Sequence, residues 1–365
     1  MSPRPLSAVV LAAGEGTRMR STRPKPLHLL CGRAMVLHVL DALASLPLDR
    51  AVVVVGHSAE RVVKTLCEQA PPELALEFVE QHVQRGTGDA VGVALTAFGD
   101  DDFEDGDLIV VPGDTPLLRA ETLVALVTAH RRSDAAATLL TAVLDDPTGY
   151  GRVVRGKDGR VAQVVEDRDA APEEREINEV NTSIYCFRRS LLAPALRRLT
   201  PENSQGEYYL TDVIGVLYSA GYNVVSMVAS DPIETAGVND RGQLAAAEAE
   251  LRDRTNDRWM RQGVTMIDPE RTYIDATVSL ATDITLFPGT VLQGHTVIES
   301  GAEIGPDTRL VDCVVRQGAV VEQSVGRLAD IGPDARVGPF AALSPGCRLP
   351  AGTVTGPFFV GASEE

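Results

Sequence analysis

The sequence predicts a protein in two parts, an α/β domain whose parallel sheet is covered by helices and, after it, a short parallel β-helix. Three observations lead to this fold class. Short apolar runs alternate with helical patterns over the first two-thirds of the chain, a glycine-rich loop follows the first run, and a six-residue repeat fills the last third. A length of 365 residues also exceeds one typical domain. We therefore expect an α/β domain over residues 1–239, a linker helix over 240–262 and a β-helix domain over 263–365.

The elements of the first domain follow from the spacing of its apolar residues. A first strand at Ser7–Val10 precedes a helix at Ala34–Ala44, a strand at Arg50–Val55, a helix at Ala59–Gln69, a strand at Leu76–Val79, a helix at Asp89–Phe98 and a strand at Leu108–Val111. Later strands are expected at Arg160–Glu166 and Val180–Phe187. Later helices are expected at Leu191–Leu199, from the segment Gln205–Asp212 to Tyr218, and at Asp240–Gln262. Unbroken apolar strands that alternate with helices are typical of a parallel sheet buried on both faces.

The composition excludes some classes of partner. Lys and Arg number 34 against 51 Asp and Glu, a formal net charge of −17, which argues against nucleic acid because such binding needs a basic surface. A small anionic ligand needs only a local basic pocket. Arg18, Arg20, Arg23 and Lys25 form such a basic cluster, although a solvated run of charges would look similar.

Cysteine, histidine and hydropathy patterns point to a reduced compartment. The five cysteines include no CxxC pair and the six histidines are dispersed, so neither a disulfide framework nor a zinc site is expected. No apolar run is long enough to span a bilayer, and the N-terminus lacks the layout of a signal peptide. We expect a cytoplasmic protein with no membrane partner.

The loop Leu11–Lys25, LAAGEGTRMRSTRPK, is the first candidate site. Gly14 and Gly16 allow backbone amides to approach an anion, and Arg18 and Lys25 add positive charge, so the loop is a candidate for binding phosphate. The alternative is an ordinary strand-to-helix turn with two solvent-facing bases. Ligands of parallel sheets bind outside the carboxyl ends of the strands, which is where this loop lies.

Asp114 is the second candidate. The predicted strand Leu108–Val111 runs into Pro112-Gly113 and places the Asp114 carboxylate at its carboxyl end. Mg²⁺ is usually held by one or two protein oxygens together with phosphate oxygens, which this position offers. The alternative is a turn aspartate before a helix that starts at Pro116.

The last third repeats with a period of six. Inward-facing apolar residues are expected at Leu280, Leu286, Leu292, Ile298, Ile304, Leu310, Ile331, Val337, Leu343 and Leu349. A second set of small or β-branched residues precedes the first by two positions, at Val278, Ile284, Thr290, Thr296, Ala302, Thr308, Val314 and Val320. With Gly-Pro and Pro-Gly turns between them, these residues are typical of a β-helix of stacked triangular coils, whose flat sides commonly form homotrimers.

Together the motifs resemble those of a known family. LAAGEGTRM, RPKPLH, QRGTGDA, PGDTPL, DDPTGYGR, VVED, VNTSIY, QGEYYLTD and GVND, followed by hexapeptide repeats, are similar to the bacterial bifunctional N-acetylglucosamine-1-phosphate uridylyltransferase / glucosamine-1-phosphate acetyltransferase family. The resemblance covers the chain to about residue 340. It implies a Rossmann-like nucleotidyltransferase domain followed by a short left-handed parallel β-helix of hexapeptide repeats.

The resemblance also implies roles for individual residues. It implies that Leu11, Ala12, Ala13 and Gly14 bind the nucleotide, Arg18 and Lys25 the triphosphate, Gln81, Gly86 and Thr87 the uracil, Asp114 and Asn239 Mg²⁺, and Gly151, Glu166, Asn181, Tyr209 and Thr211 the amino sugar. The expected substrates are UTP and N-acetylglucosamine-1-phosphate, and the products UDP-N-acetylglucosamine and pyrophosphate. The sugar phosphate attacks the α-phosphate in line, and no protein nucleophile is needed.

Several residues depart from the family pattern. Asp89 lies where the family usually has histidine, Pro26 follows Lys25 where an aliphatic residue is usual, and Ser183 replaces the glycine of an Asn-Thr-Gly motif. In the β-helix, Ser344 lies where the family has an arginine for the sugar phosphate. No histidine follows His295 and the chain ends at Glu365, so we expect no acetyl transfer. The remaining coils would then serve trimerisation or be the relic of a lost domain.

Two other interpretations remain open. One is a nucleotidyltransferase of the same fold that uses glucose-1-phosphate with UTP or dTTP, since fold does not separate these substrates. The other is a catalytically silent nucleotide-binding or regulatory protein. The presence of Arg18, Lys25, Asp114 and Asn239 together argues against the second, because none of them is needed to fill a core.

Overall fold

A computed structural model describes residues 4–99 and 106–362. The chain divides into two compact units. The first comprises the described residues up to His28 together with Ala34–Gln243, and the second comprises Leu29–Arg33 together with the described chain from Leu244 onward. Within the described residues, no helix is both long enough and apolar enough to cross a membrane.

The first unit is built on one nine-stranded sheet. Its strands are β1 Leu6–Leu11, β2 Arg50–Val55, β3 Leu76–Glu80, β4 Asp107–Pro112, β5 Ala137–Val143, β6 Arg152–Arg155, β7 Val161–Val165, β8 Glu179–Arg188 and β9 Val224–Val228. The main strand order is β9-β5-β8-β4-β1-β2-β3, and β6 pairs with β8 and β7 beside this path.

Helices cover both faces of this sheet, as the sequence predicts. They are α1 Met35–Leu43, α2 Ala59–Gln69, α3 Thr87–Ala94, α4 Ala120–Arg132, α5 Pro172–Arg175, α6 Arg189–Leu196 and α7 Asp212–Ser219. Alternate residues of β1 enter different cores: Val10 packs with residues of α1, α2 and α4, and Val9 packs with residues of α3, α6 and α7. Burial on both faces explains why each central strand is an unbroken apolar run.

The predicted parallel sheet is parallel in part and, along its main strand order, antiparallel at one strand. Strand β1 is parallel to β2 and β4, but β8 runs antiparallel to both of its neighbours, β4 and β5. Strand β8 follows the hairpin β6-β7 and a charged segment whose helix, α5, has only four residues, so the connection is not the long helical crossover that usually joins parallel strands. The sheet is therefore mixed.

The second unit is a left-handed parallel β-helix with three flat sheets. Face 1 consists of Thr265–Met266, Thr285–Leu286, Glu303–Ile304, Val320–Val321 and Arg336–Val337. Face 2 consists of Tyr273–Ile274, Val291–Gln293, Arg309–Val311, Val325–Arg327, Ala342–Leu343 and Val360–Gly361. Face 3 consists of Ser279–Leu280, Val297–Ile298, Val314–Val315, Asp330–Ile331 and Arg348–Leu349. Helix α8, Arg241–Arg261, belongs to this unit from Leu244 onward.

The six-residue repeat is confirmed, with three five-residue steps, from Leu310 to Val315, from Val321 to Gly326 and from Gly326 to Ile331. The ten predicted apolar residues are buried and form one core. After Leu310 the next inward position is Val315, only five residues on, and Cys313 and Ala319 fill the interior where Val314 and Val320 were predicted. Val314 and Val320 are only half-buried because a corner at Asp312 is one residue shorter than the repeat.

Candidate active site

A cavity of about 470 Å³ opens in the first unit where several strands end. Leu11 closes β1, Pro112 closes β4 and Gln81 follows β3, so the carboxyl ends of three parallel strands meet here. Strand β8 runs the opposite way, and therefore its amino-terminal residues, beginning with Asn181, reach the same edge. The antiparallel strand thus contributes directly to the cavity.

Most residues with an expected role line this cavity. They are Leu11, Ala12, Ala13, Gly14, Lys25, Gln81, Gly86, Thr87, Asp114, Gly151, Glu166, Asn181 and Asn239. Arg18, Tyr209 and Thr211 are not among the lining residues: Arg18 is exposed, and Tyr209 and Thr211 are buried. Arg18 contacts it through Asn239, and Thr211 contacts it through Glu166.

The glycine loop holds its shape through close contacts with Lys25. Gly16 has a φ of +66°, and a Cβ atom there would approach Lys25 Cβ to 2.5 Å, so only glycine fits. A Cβ atom at Gly14 would meet nothing within 4 Å. Within the described chain, the backbone amides of Ala13 and Gly14 have no protein acceptor, which leaves them for an anion.

Two basic side chains and two side-chain oxygens meet at one side of the cavity. Lys25 Nζ donates to Asp114 Oδ2 and, at 2.8 Å, to Asn239 Oδ1. Arg18 Nη2 donates to the same Asn239 oxygen at 2.9 Å. These contacts join positions that are distant in the chain, and the Val238 amide secures the arrangement by donating to Asp114 O at 2.8 Å.

The same cluster fits a magnesium ion chemically. Asp114 and Asn239 offer one carboxylate and one amide oxygen, both hard donors, and the Lys25 ammonium lies within hydrogen-bonding distance of each. A positive charge is therefore already accommodated between the two oxygens. No group of three or more His, Cys, Asp or Glu side chains suited to a metal occurs in the described residues, so substrate oxygens would have to complete the coordination.

Gln81 and Gln84 shape another part of the wall. Gln81 is only 5% exposed, and its Nε2 donates to Gly86 O at 3.2 Å and to Asp89 Oδ2 at 2.7 Å. Gln84 Nε2 donates to Ala13 O at 2.6 Å and so ties this segment to the glycine loop. Gly86, at φ +107°, begins α3 where a side chain would collide with Tyr208.

Polar side chains from β8 and the segment after β7 line a further part. Glu166 accepts a hydrogen bond from Thr211 Oγ1 at 3.0 Å, and burial raises the pKa of its carboxyl, as do the nearby carboxylates of Asp212 and Asp169. Asn181 Nδ2 donates to Tyr185 Oη at 2.7 Å, whereas the buried Asn181 Oδ1 has no protein partner.

Tyr209 and Gly151 support this part of the cavity. Tyr209 is buried, and Gln205 Nε2 donates to its hydroxyl at 2.8 Å. A Cβ atom at Gly151 would lie 3.0 Å from Val164 Cγ1, a tight contact, and 3.4 Å from Glu166 Oε2, so glycine leaves Val164 room beside the Glu166 carboxylate.

Ser183 is one of the departures from the family motif. It lies at φ +61° in an irregular step of β8 between Asn181 and Ile184 and lines the cavity. This left-handed conformation favours glycine, so serine here is held under backbone strain beside the candidate site.

Several lining residues had no role in the sequence analysis. They are Pro26, Gln84, Ala90, Pro112, Gly113, Thr115, Gly149, Tyr150, Thr182, Ser183, Glu207, Thr235 and Gly237. Many stand inside the motifs PGDTPL, DDPTGYGR and VNTSIY, so adjacency to a motif was the available signal. Gly237 begins the motif GVND, whereas Thr235 lies outside the quoted motifs and gave no such signal.

Comparisons with known proteins agree with this architecture. The pattern of the family described as nucleotidyl transferase matches residues 7–259. "Bifunctional protein GlmU" of Streptomyces coelicolor is 48% identical over 347 residues, which cover 95% of this chain and 71% of that protein. The proteins of the same name from Exiguobacterium sibiricum and Corynebacterium efficiens are 48% and 46% identical, over 96% and 94% of this chain and 76% and 71% of their own lengths.

A family match of this extent and relatives of this identity agree with the motifs and with the two folded units. The chain therefore belongs to the nucleotidyl transferase family and, within it, to the family of the proteins named GlmU.

Proposed function

We propose that this chain transfers the uridylyl group of UTP to N-acetylglucosamine-1-phosphate, forming UDP-N-acetylglucosamine and pyrophosphate. Membership of the family makes it a sugar-1-phosphate uridylyltransferase; the identity of the sugar is the proposal. One observation carries it. A single cavity combines a glycine loop with free amides, the Lys25 ammonium, the oxygens of Asp114 and Asn239 and the unpaired acceptor Asn181 Oδ1, and Arg18 contacts it through Asn239.

The reaction proposed is an in-line displacement. A phosphate oxygen of the sugar-1-phosphate forms a bond to the α-phosphorus of UTP, the bond from that phosphorus to the oxygen bridging the α- and β-phosphates breaks, and pyrophosphate leaves with the electron pair. Arg18 and Lys25 would stabilise the negative charge that gathers on the phosphates.

We propose Asp114 and Asn239 as the protein ligands of Mg²⁺. When bound, the ion would neutralise phosphate charge and orient the phosphate oxygens. Lys25 now donates to both ligand oxygens, so in the loaded site its ammonium would have to turn toward the phosphates.

The polar wall supports an N-acetylated sugar. The buried Asn181 Oδ1 is an acceptor without a partner, and an amide N–H of the ligand would satisfy it. Glu166 accepts from Thr211 and has further capacity to accept from sugar hydroxyls. Glucose-1-phosphate would present a hydroxyl donor there in place of the amide N–H, and the substrate screen below compares the two sugars.

We propose that this 365-residue chain does not catalyse acetyl transfer. Ser344 lies exposed where the family motif has an arginine, and no histidine follows His295. Incubation with acetyl-CoA and glucosamine-1-phosphate should release no CoA thiol above the background without protein. Acetylated product in proportion to protein concentration would contradict this.

We also propose that the β-helix forms a homotrimer. Face 2 and its corners carry exposed apolar residues near one another. Phe340 and Phe358 stack with ring centroids 5.3 Å apart, and Val325, Ala342 and Val360 pair in register beside them. These five residues, here the face 2 patch, have the exposure typical of an association surface.

A substrate screen tests the assignment. Pyrophosphate release is measured for UTP, dTTP, ATP and GTP, each with N-acetylglucosamine-1-phosphate or glucose-1-phosphate and Mg²⁺. We expect the highest kcat/KM for UTP with N-acetylglucosamine-1-phosphate. A higher value for glucose-1-phosphate would assign the other sugar, and nucleotide binding without any turnover would indicate a silent binding protein.

A further inference from the structure

The side-chain amide of Gln81 can adopt only one orientation. Its Nε2 lies 3.2 Å from the carbonyl oxygen of Gly86 and 2.7 Å from Asp89 Oδ2, and both of these atoms accept hydrogen bonds. If the Gln81 amide were turned over, its oxygen would face the Gly86 carbonyl oxygen and the Asp89 carboxylate, and none of these three atoms can donate a hydrogen bond. Both amide hydrogens are therefore used, and the remaining capacity of this nearly buried side chain is the acceptor Oε1.

Asp89 is the stronger of the two constraints. An ionised carboxylate can only accept, whereas a histidine or an asparagine in its place could also donate. Hydrogen bonds to charged groups are also stronger than those to neutral carbonyls. Asp89 lies in the first turn of α3, where the helix dipole stabilises a negative charge, and it is the acidic residue of that turn.

We propose that Asp89 determines the nucleobase specificity of this site by holding the Gln81 amide with its oxygen toward the cavity. The ligand chemistry selected is an imide edge, in which a ring N–H donor lies next to a carbonyl oxygen, as in uracil and thymine. Asp89 is a positioning residue that acts through Gln81. The inference rests on the proposed function, in which this wall of the cavity receives the base.

A neighbouring donor completes the pattern. Gly86 lines the cavity beside Gln81, and in the described chain its backbone amide has no protein acceptor. An acceptor at Gln81 Oε1 next to a donor at the Gly86 amide complements the N3–H and O4 of uracil. Cytosine presents a ring acceptor and an amino donor at these two atoms, so both contacts would become repulsive or unpaired.

The test compares Asp89→Asn with the wild-type chain. Asparagine has nearly the same shape but can donate to Gln81, so the amide can turn over. Dissociation constants for UTP and CTP are measured by calorimetry with Mg²⁺, and kcat and KM with both nucleotides are measured by pyrophosphate release. Glu80→Gln is the matched control, since it removes one carboxylate charge from an exposed residue next to Gln81 in the chain.

We expect the ratio of CTP to UTP dissociation constants to fall about tenfold or more in Asp89→Asn, and to stay at the wild-type value in Glu80→Gln. The change should appear in KM rather than in kcat, because Asp89 touches no reacting atom. Thermal unfolding midpoints of both variants equal to that of the wild-type chain would show that the fold is retained.

Two results would overturn the inference: an unchanged ratio in a folded Asp89→Asn variant, or a wild-type chain that binds CTP as tightly as UTP. Failure of the proposed function looks different. A wild-type chain that releases no pyrophosphate but still binds UTP, with selectivity that depends on Asp89, would contradict the reaction and support the inference.

Discussion

Lys25 is hydrogen-bonded to both side chains proposed to hold the metal. Its side chain is largely buried, and its ammonium donates to Asp114 and Asn239. A buried ammonium requires such partners, and a buried carboxylate requires a cation. In the free protein the lysine therefore competes with any metal ion for the same oxygens.

Removing this competition should strengthen metal binding. We predict that Lys25→Met binds Mn²⁺ at least about tenfold more tightly than the wild-type chain in the absence of nucleotide, because Asp114 then lacks its internal cation. Electron paramagnetic resonance of free Mn²⁺ measures this without any turnover. Lys157→Met, which removes an exposed lysine, should leave the affinity unchanged. Equal Mn²⁺ affinities of wild type and Lys25→Met would contradict the account.

Motifs in the sequence were sufficient to place Lys25, Asp114 and Asn239 in one candidate site. Their direct contacts were not predictable, because 89 positions separate Lys25 from Asp114 and 214 separate it from Asn239. The same holds for Gln84, whose bond to the Ala13 carbonyl depends on the packing of α3 against the end of β1. Only the folded sheet brings these segments together.

At the scale of elements, continuous apolar strands were predicted well and strand direction was not. Strand β2 and helix α2 have the predicted bounds, since each combines a clear period with a clear stop. Strands β5, β6 and β9 were missed. Direction depends on the connection before a strand, and the charged stretch before β8 gave no indication of it.

The amino end of β4 is held by an ion-pair cluster away from the candidate site. Asp107 is fully buried, and it accepts from Arg4 Nε and Arg131 Nε, each at 2.8 Å, with His130 Nε2 at 3.5 Å. Burial alone would raise its pKa, but the His130 and Arg131 contacts prevail and lower it from 3.8 to about 2. The cluster joins β4 to α4 and to the segment before β1.

This cluster predicts an acid-sensitive contribution to stability. Because the pKa of Asp107 is lower in the folded chain, its contribution is complete above about pH 4 and is lost as the pH falls toward 2. We predict that Asp107→Asn lowers the free energy of unfolding by about 3 kcal/mol at pH 7, since it breaks a buried ion pair. Urea denaturation at a series of pH values should show this difference shrinking between pH 4 and 2.

Asp145→Asn is the control for that series, because Asp145 is exposed. Its free energy of unfolding should equal that of the wild-type chain at every pH. If Asp107→Asn stays less stable than the wild-type chain by the same free energy of unfolding down to pH 2, the ionised carboxylate is not the source of the difference.

At the scale of the whole molecule, the β-helix was the most predictable part of the chain. One interval repeated many times identifies stacked coils, whereas the shorter corner at Asp312 broke the register and misplaced Val314 and Val320. The period shows which residues face inward. It does not show which of the three outer faces carries an apolar patch, because outward positions are free to vary.

The proposed homotrimer depends on that patch. Phe358 is 73% exposed, and we predict that Phe358→Asp converts the trimer to a monomer by burying a charge in an apolar interface. Light scattering coupled to size-exclusion chromatography measures the mass. Val354→Asp is the matched control, since Val354 is 72% exposed and bridges to Arg336 on face 1. A wild-type monomer, or a trimer that persists in Phe358→Asp, would contradict the assignment of the patch.

The most direct measurement for the central claim is the rate of pyrophosphate release from UTP and N-acetylglucosamine-1-phosphate with Mg²⁺, compared among the wild-type chain, Arg18→Ala and Asp114→Ala. We predict sustained release by the wild-type chain and a loss of roughly 100-fold or more in each variant, because Arg18→Ala removes a positive charge near the phosphates and Asp114→Ala removes a ligand of the proposed Mg²⁺. Turnover near the wild-type rate in either folded variant would contradict the proposed site.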